Sequence, residues 1–277
     1  MPVMEASAIE NFVLQRESMV RLGIFVLVFV SMLIWELLAP RRDLTVSKKL
    51  RWVNNLGLFV VNSMVLRLLF PAAAVGLALS VADSGWGLFN LLDLPFWFEV
   101  TAAVLLLDLA IYLQHALMHR VPLLWRLHRV HHADLDIDVT TGSRFHTVEI
   151  IVSMLIKWGV ILLLGPALVA VLVFEVLLNG MAIFNHANIS LPPAVDKVIR
   201  YLLVTPDMHR VHHSALKRET DSNYGFNLSI WDRLFRTYID QPEMGHDRMT
   251  IGITEFRDAR QVDRLPGMLA MPFVGKP

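Results

Sequence analysis

Four stretches of this chain stay apolar for too long to belong to an ordinary water-soluble core. A helix crossing the ~30 Å hydrocarbon layer of a bilayer needs roughly 20 predominantly apolar residues. Leu22–Leu38 (LGIFVLVFVSMLIWELL) meets that need with its flanks, Asn55–Val81 does so despite Arg67 inside it, and Phe96–Leu113 is a third candidate. The run from Val148 to Phe184 is about twice as long as one crossing requires. Gly165-Pro166 lies near its middle, where glycine can end one helix and proline can start the next. That run therefore reads as a hairpin of two helices. Four to five crossings follow, all helical, because only helices and closed barrels satisfy their backbone in lipid. The composition agrees: 18% of residues are charged, against about 25% in soluble domains, and the mean hydropathy is +0.51. No cleavable secretory signal stands out, so the first apolar run is expected to remain as a membrane helix.

The loops give an orientation. Arg41, Arg42, Lys48, Lys49 and Arg51 follow the first helix, whereas the segment from Val81 to Trp97 has no lysine or arginine. The positive-inside rule places the first loop in the cytoplasm and the second outside. Counting onward, the third helix re-enters the cytoplasm near His115 and the hairpin returns there near His186. The expected fold is an all-α integral membrane protein: transmembrane helices over residues 1–97, a histidine-bearing region over 98–240 with a cytoplasmic helical cap, and a C-terminal cytoplasmic tail over 241–277, all in one integrated domain. Lysine plus arginine equals aspartate plus glutamate at 25 each, a balance that gives no reason to invoke nucleic acid. The chain has no cysteine, which excludes disulfides, thiolate metal sites and a cysteine nucleophile together.

Histidine spacing carries the chemistry. HALMH supplies His115 and His119; HRVHH supplies His128, His131 and His132; the same pentapeptide recurs with His209, His212 and His213. Positions three and four apart share a helix face, so each cluster can present two or three imidazoles in one direction. Interfacial histidines of no special role would be scattered, not gathered into three tight groups. Imidazole nitrogen suits iron, zinc, copper and nickel, and so many ligands exceed what one ion can use, which implies two metals. HExxH is absent, so a zincin-type protease is not supported. Thr205-Pro206-Asp207 reads as N-cap, N1 proline and first-turn acid ahead of the second pentapeptide. Pro122 takes the N1 part ahead of His128.

Other polar residues carry paired readings. His186 ends the hairpin at the depth of the clusters and shares a helix face with Glu175 and Asn179; it is read as a ligand, with Asn179 as outer support. His146 in SRFHTVE is either a tenth ligand or orients the entry to the hairpin. His246 is expected to be a solvated loop residue. Asp108, buried within LLLDLAIY, either accepts the second imidazole proton of His115 or His119 or bonds to a neighbouring helix or Arg67.

The pattern HxxxH…HxxHH…HxxHH resembles the fatty acid hydroxylase/sterol desaturase superfamily of membrane di-iron enzymes, in its bacterial form. SRFHTVE, FNHANISLP, TPDMHRVHH and DSNYGFNLSIWDRLF extend the resemblance over roughly residues 98 to 238. It implies an oxidoreductase that hydroxylates or desaturates a lipid in the bacterial inner membrane, with two iron ions and dioxygen as co-substrate. The implied substrate is a sterol, fatty acyl or alkylglycerol-like lipid. It carries ligand roles onto His115, His119, His128, His131, His132, His186, His209, His212 and His213, with His146 added, and places Asn223 beside a metal-associated water. No cytochrome b5-like segment is fused to the chain, so electrons are expected from a separate cytochrome b5-, ferredoxin- or reductase-type protein. Two departures stand out. Arg236 occupies a position usually held by glycine, and a single His186 stands where fatty acid 2-hydroxylases carry a HxxxH-like pair, which leans toward the sterol desaturase or alkylglycerol monooxygenase side. The rival reading is a non-enzymatic histidine-rich metal-binding or transport protein. Transporters place their ion sites near the bilayer midplane, whereas these clusters lie at helix ends.

Overall fold

The computed structural model describes residues 2–275, with side chains from residue 15 onward. Its regular elements are helical; among the described residues only isolated β-bridges occur outside them. The principal helices are α1 (Pro2–Leu38), α2 (Lys48–Leu69), α3 (Ala73–Asp83), α4 (Phe96–Arg120), α5 (Pro122–His132), α6 (Thr147–Leu164), α7 (Leu168–His186), α8 (Pro193–Ile199) and α9 (Pro206–His212). Among the described residues, five segments are long and apolar enough to cross a membrane: Gln15–Leu38, Lys48–Asp83, Phe96–Arg120, Thr147–Leu164 and Leu168–His186. The second comprises α2 and α3, broken at Phe70 and Pro71, since proline lacks the N–H that would continue the ladder.

The hairpin turns where the sequence predicts. Gly165 closes α6 in the left-handed conformation at φ +59, and a Cβ there would lie 2.4 Å from Trp86 O, so only glycine fits. Inside the bundle, α1 packs along α7, α3 against α6, and α4 against α5, α6 and α7. Small residues at the contacts, among them Ala74, Ala78, Ala103 and Ala170, let the helices approach closely. Large apolar side chains such as Leu27, Leu68 and Leu163 point outward and are exposed, as a lipid-facing surface requires.

After α7 the described chain packs back on the helices: α9 against α7, the short helix Leu265–Ala270 against α2, and the turn at Met271–Phe273 against α5. The stretch expected to be a tail is part of this packed body: Met268 and Met271 are buried against Leu58 and Val130. The basic segment after α1 is equally engaged. Arg51 is completely buried and donates to Asp134 and Asp138, each at 2.6 Å, while Lys48 pairs with Glu36 at 3.1 Å. The chain from Ala133 to Thr141 is thereby clamped beneath the bundle, with Asp136 accepting from the backbone of Thr45 and Val46 at 2.8 and 2.9 Å.

Candidate metal centre

Four elements deliver histidines to one place. The last two turns of α4 carry His115 and His119. Val121 is extended and Pro122 starts α5 at once, so α5 turns back and brings His128, His131 and His132 alongside. His186 is the last residue of α7. Thr205 caps α9 by accepting from Met208 N at 3.3 Å, Pro206 stands in the first turn, and His209, His212 and His213 follow.

The rings form two groups. His115, His119, His128, His132 and His212 can bring one nitrogen each within 4.8 Å of one another, as can His131, His186, His209 and His213. Both pentapeptides are divided. The i, i+4 pair His128/His132 joins the first group and the i, i+4 pair His209/His213 joins the second, while His131 and His212 cross to the opposite group. The first group is completed by the i, i+4 pair of α4. The second receives His186 alone, because Ala182 stands one turn before it.

Hydrogen bonds fix the tautomers. Nδ1 of His115 lies 2.7 Å from Tyr224 O, that of His131 3.2 Å from Arg144 O, that of His186 2.6 Å from Ala182 O, and that of His212 2.7 Å from Ser222 O. Nδ1 of His128 lies 2.6 Å from Glu149 Oε1. Carbonyl and carboxylate oxygens accept, so each Nδ1 donates its proton and leaves a lone pair on Nε2. Those lone pairs converge. Nε2 of His115 faces that of His128 at 3.1 Å, and Nε2 of His186 faces those of His131 and His209 at 3.1 and 3.0 Å. Neutral rings so oriented repel unless a cation lies among them. Among the described residues, both nitrogens of His132 and His213 are buried with no hydrogen-bond partner, and so is Nε2 of His119, whose Nδ1 lies 3.4 Å from Asp221 Oδ1. The donor set therefore fits two metal ions.

Burial keeps the rings in the ligating form. It pushes His131, His132, His209 and His213 well below the usual histidine value, with neighbouring imidazoles adding to the shift, and His212 down to about 3. Aromatic walls surround the groups. Phe145 stacks on His131 at 4.3 Å, and Trp125 lies 5.0 Å from His119 and 5.5 Å from His132.

Residues 100–237 match the fatty acid hydroxylase family. The chain belongs to that family. Among curated relatives, the ornithine lipid hydroxylase of Rhizobium tropici is 29% identical over 182 residues, 66% of this chain and 52% of the relative. The alkylglycerol monooxygenase of Xenopus tropicalis is 30% identical over 163 residues, 57% of this chain and 35% of the relative. Its counterpart from Homo sapiens is 29% identical over 174 residues, 61% and 36%. The chain thus spans between about a third and a half of the length of these relatives. No solved structure matches it.

In this member of the fatty acid hydroxylase family, the groups that orient the histidines are mostly backbone carbonyls on buried loops. Tyr224 O and Ser222 O belong to the DSNYG segment, which Asp232 holds by accepting from Tyr224 N and Gly225 N, both at 2.8 Å. Burial pushes the Asp232 carboxyl up to about 6. Arg144, whose carbonyl orients His131, is buried among Asn55 Oδ1, Val130 O and Asp263. The carboxylate that sequence reasoning missed is Glu149. Its signal was an acid in the first turn of α6, in the run Thr147-Val148-Glu149 directly after His146.

Several expected roles move. His146 lies outside both groups: its Nδ1 accepts from Val148 N at 3.2 Å and caps α6, the helix-entry alternative. Asp108 does not reach His115 or Arg67. Its Oδ2 accepts from Trp231 Nε1 at 2.8 Å and Leu228 N at 3.3 Å, holding the loop that carries Tyr224. Asn223 turns its amide away from the histidines. It donates to Met208 O and Ile239 O and accepts from Ile239 N, with its backbone left-handed at φ +49. Asn179 sits two turns from His186 and lines a cavity between the helices instead. His246 is buried, not solvated, because the C-terminal stretch folds against α9 and brings it 3.6 Å from Asp207. Arg236 adopts φ +60, the left-handed conformation that a glycine would take without strain.

Proposed function

We propose that this chain is a membrane-bound di-iron oxygenase that hydroxylates a lipid. The observation that carries the reading is the convergence of ring nitrogens in two groups, five histidines in one and four in the other, with Nε2 left free to ligate on the five rings whose Nδ1 donates to an oxygen. The names of the relatives, a lipid hydroxylase and alkylglycerol monooxygenases, support oxidation of a lipid as the activity.

The chain's own residues would do three things. Carbonyls of Tyr224, Arg144, Ala182 and Ser222 lock the imidazoles, and Glu149 makes His128 a stronger donor. A cavity of about 250 Å³ between α1, α2, α4, α6 and α7 receives the lipid, and Phe145, Ala182 and Phe226 form its histidine end. Those apolar groups keep water from the reacting C–H bond. Two irons held by the histidines would supply the oxidation with dioxygen as co-substrate, and a separate electron-transfer protein would deliver the electrons. The histidine end is assigned to the cytoplasm on the lysine and arginine at that end and their absence between Val81 and Trp97, and the likeness to a Rhizobium tropici protein supports a bacterial inner membrane.

The test is metal content combined with oxygen uptake by the purified protein in vesicles. Two irons per chain and uptake that requires both reductant and lipid are expected. His131→Ala and His212→Ala, one from each group, should each abolish lipid oxidation while the protein remains inserted. Retained turnover in both variants, or metal flux across the vesicle without oxygen use, would overturn the reading.

A further inference from the structure

The cavity that ends at Phe145 and Phe226 is not uniformly apolar. Its other end is lined by Arg21, Lys157, Glu175 and Asn179, from α1, α6 and α7. Glu175 is buried and accepts from Lys157 Nζ at 2.7 Å through one oxygen; Arg21 Nη1 lies 2.9 Å from the other. Arg21 also pairs with Glu17 at 2.7 Å, one turn earlier in α1. Among the described residues, Lys157 has Glu175 alone. An ammonium carries three donors, so two of its N–H groups have no protein acceptor there, and its side chain is 10% exposed. Asn179 lines the same cavity but is exposed, and its amide has no partner among the described residues.

A cation inside a membrane span is costly unless it is paired, and Glu175 pairs Lys157 through one of its three donors. A hydrocarbon tail lying against Lys157 and Asn179 would leave their donors unpaired, which disfavours a purely apolar occupant. Glu175 lies eleven residues before His186 on α7, about 16 Å along the helix. A group held at Lys157 is therefore well away from the metal-binding histidines, and a tail running down the cavity connects the two.

We infer that the Lys157–Asn179 end of the cavity binds the acidic head group, a carboxylate or a phosphate, of the lipid whose tail reaches the histidines. The inference rests on the oxygenase reading for what happens at the histidines, but the head-group site has its own readout. Glu175 holds the Lys157 ammonium in place, and Arg21, 2.9 Å from the other Glu175 oxygen, offsets that carboxylate's charge. Asn179 donates a second hydrogen bond to the acid.

The test is displacement of a fluorescent fatty-acid probe from the metal-loaded protein in an uncharged detergent. Palmitate, hexadecyl phosphate and hexadecanol are the competitors. At least one of the two acids should bind about tenfold or more tightly than the alcohol, the range expected of a hydrogen-bonded charge, and the better acid identifies the head group. Lys157→Met should abolish that preference while Lys157→Arg keeps it. Equal binding of acid and alcohol by the wild type, or a preference that survives Lys157→Met, would overturn the inference and leave the trio as a tie between helices. Iron content is measured on every sample. Absent iron with an intact acid preference refutes the oxygenase reading alone; lost preference with two irons bound refutes the head-group site alone.

Discussion

Removing the carboxylate of Glu149 should separate the two histidine groups from each other. Glu149 is 4% exposed, and its Oε1 lies 2.6 Å from His128 Nδ1. The second oxygen has no partner among the described residues, so its polar engagement is with that one imidazole. His128 belongs to the five-histidine group. In the four-histidine group, the oriented rings of His131 and His186 use backbone carbonyls instead. Hydrogen bonds to charged groups contribute about 1.5–3 kcal/mol, and outer partners of metal ligands typically alter affinity by roughly 10–100-fold. Glu149→Ala should therefore weaken metal binding by the first group by about that factor and leave the second unchanged. Glu149→Gln keeps an acceptor without the charge and should fall between. Dialysis against a graded chelator, followed by iron analysis, reads the effect: wild type keeps both ions at a chelator strength where Glu149→Ala keeps one. Loss of both ions together, or no loss, would refute the reasoning that Glu149 acts through His128.

Three other substitutions test the supports of the site. Arg51→Met leaves Asp134 and Asp138 buried without their cation; a loss of about 3–5 kcal/mol is expected, read as a fall in melting temperature on the order of 10 °C, and an unchanged melting temperature contradicts it. Gly142→Ala would put a Cβ 2.3 Å from Ala182 O, the acceptor for His186 Nδ1. It should cost about 1–3 kcal/mol and weaken metal binding by the four-histidine group in the same chelator assay, whereas normal retention would show the turn is slack. Arg236→Gly relieves a left-handed residue on the surface and should raise stability by about 1 kcal/mol in thermal unfolding; a decrease would mean the arginine side chain contributes more than its backbone costs.

The parts of this protein that were legible in the sequence are those set by local spacing. Twenty-residue apolar runs, the Gly165-Pro166 break and the Thr205-Pro206 helix start each depend on neighbours in the chain, and each has its counterpart in the structure. The histidine spacing likewise pointed to rings that the fold brings together. How they divide was not legible, because His131 and His212 leave their own pentapeptides to complete the opposite group. That exchange depends on how α5 and α9 face each other. The same reason hid the clamp on residues 133–141: Arg51 and Asp134 are far apart in sequence, and a basic residue in a loop reads as solvated until its partner folds over it. Asp108 and Asn223 are both buried polar groups, but their partners are the loop around Tyr224 and the backbone at Ile239. Both act on the histidines through backbone. Spacing rules do not reveal carbonyl acceptors, since every residue has one.

The central claim is that two distinct all-nitrogen metal sites lie side by side in this bundle. A Mössbauer spectrum of the protein loaded with enriched iron tests it most directly. Two iron environments in equal amounts, one for the five-histidine group and one for the four-histidine group, are predicted. A single environment at one ion per chain would contradict it.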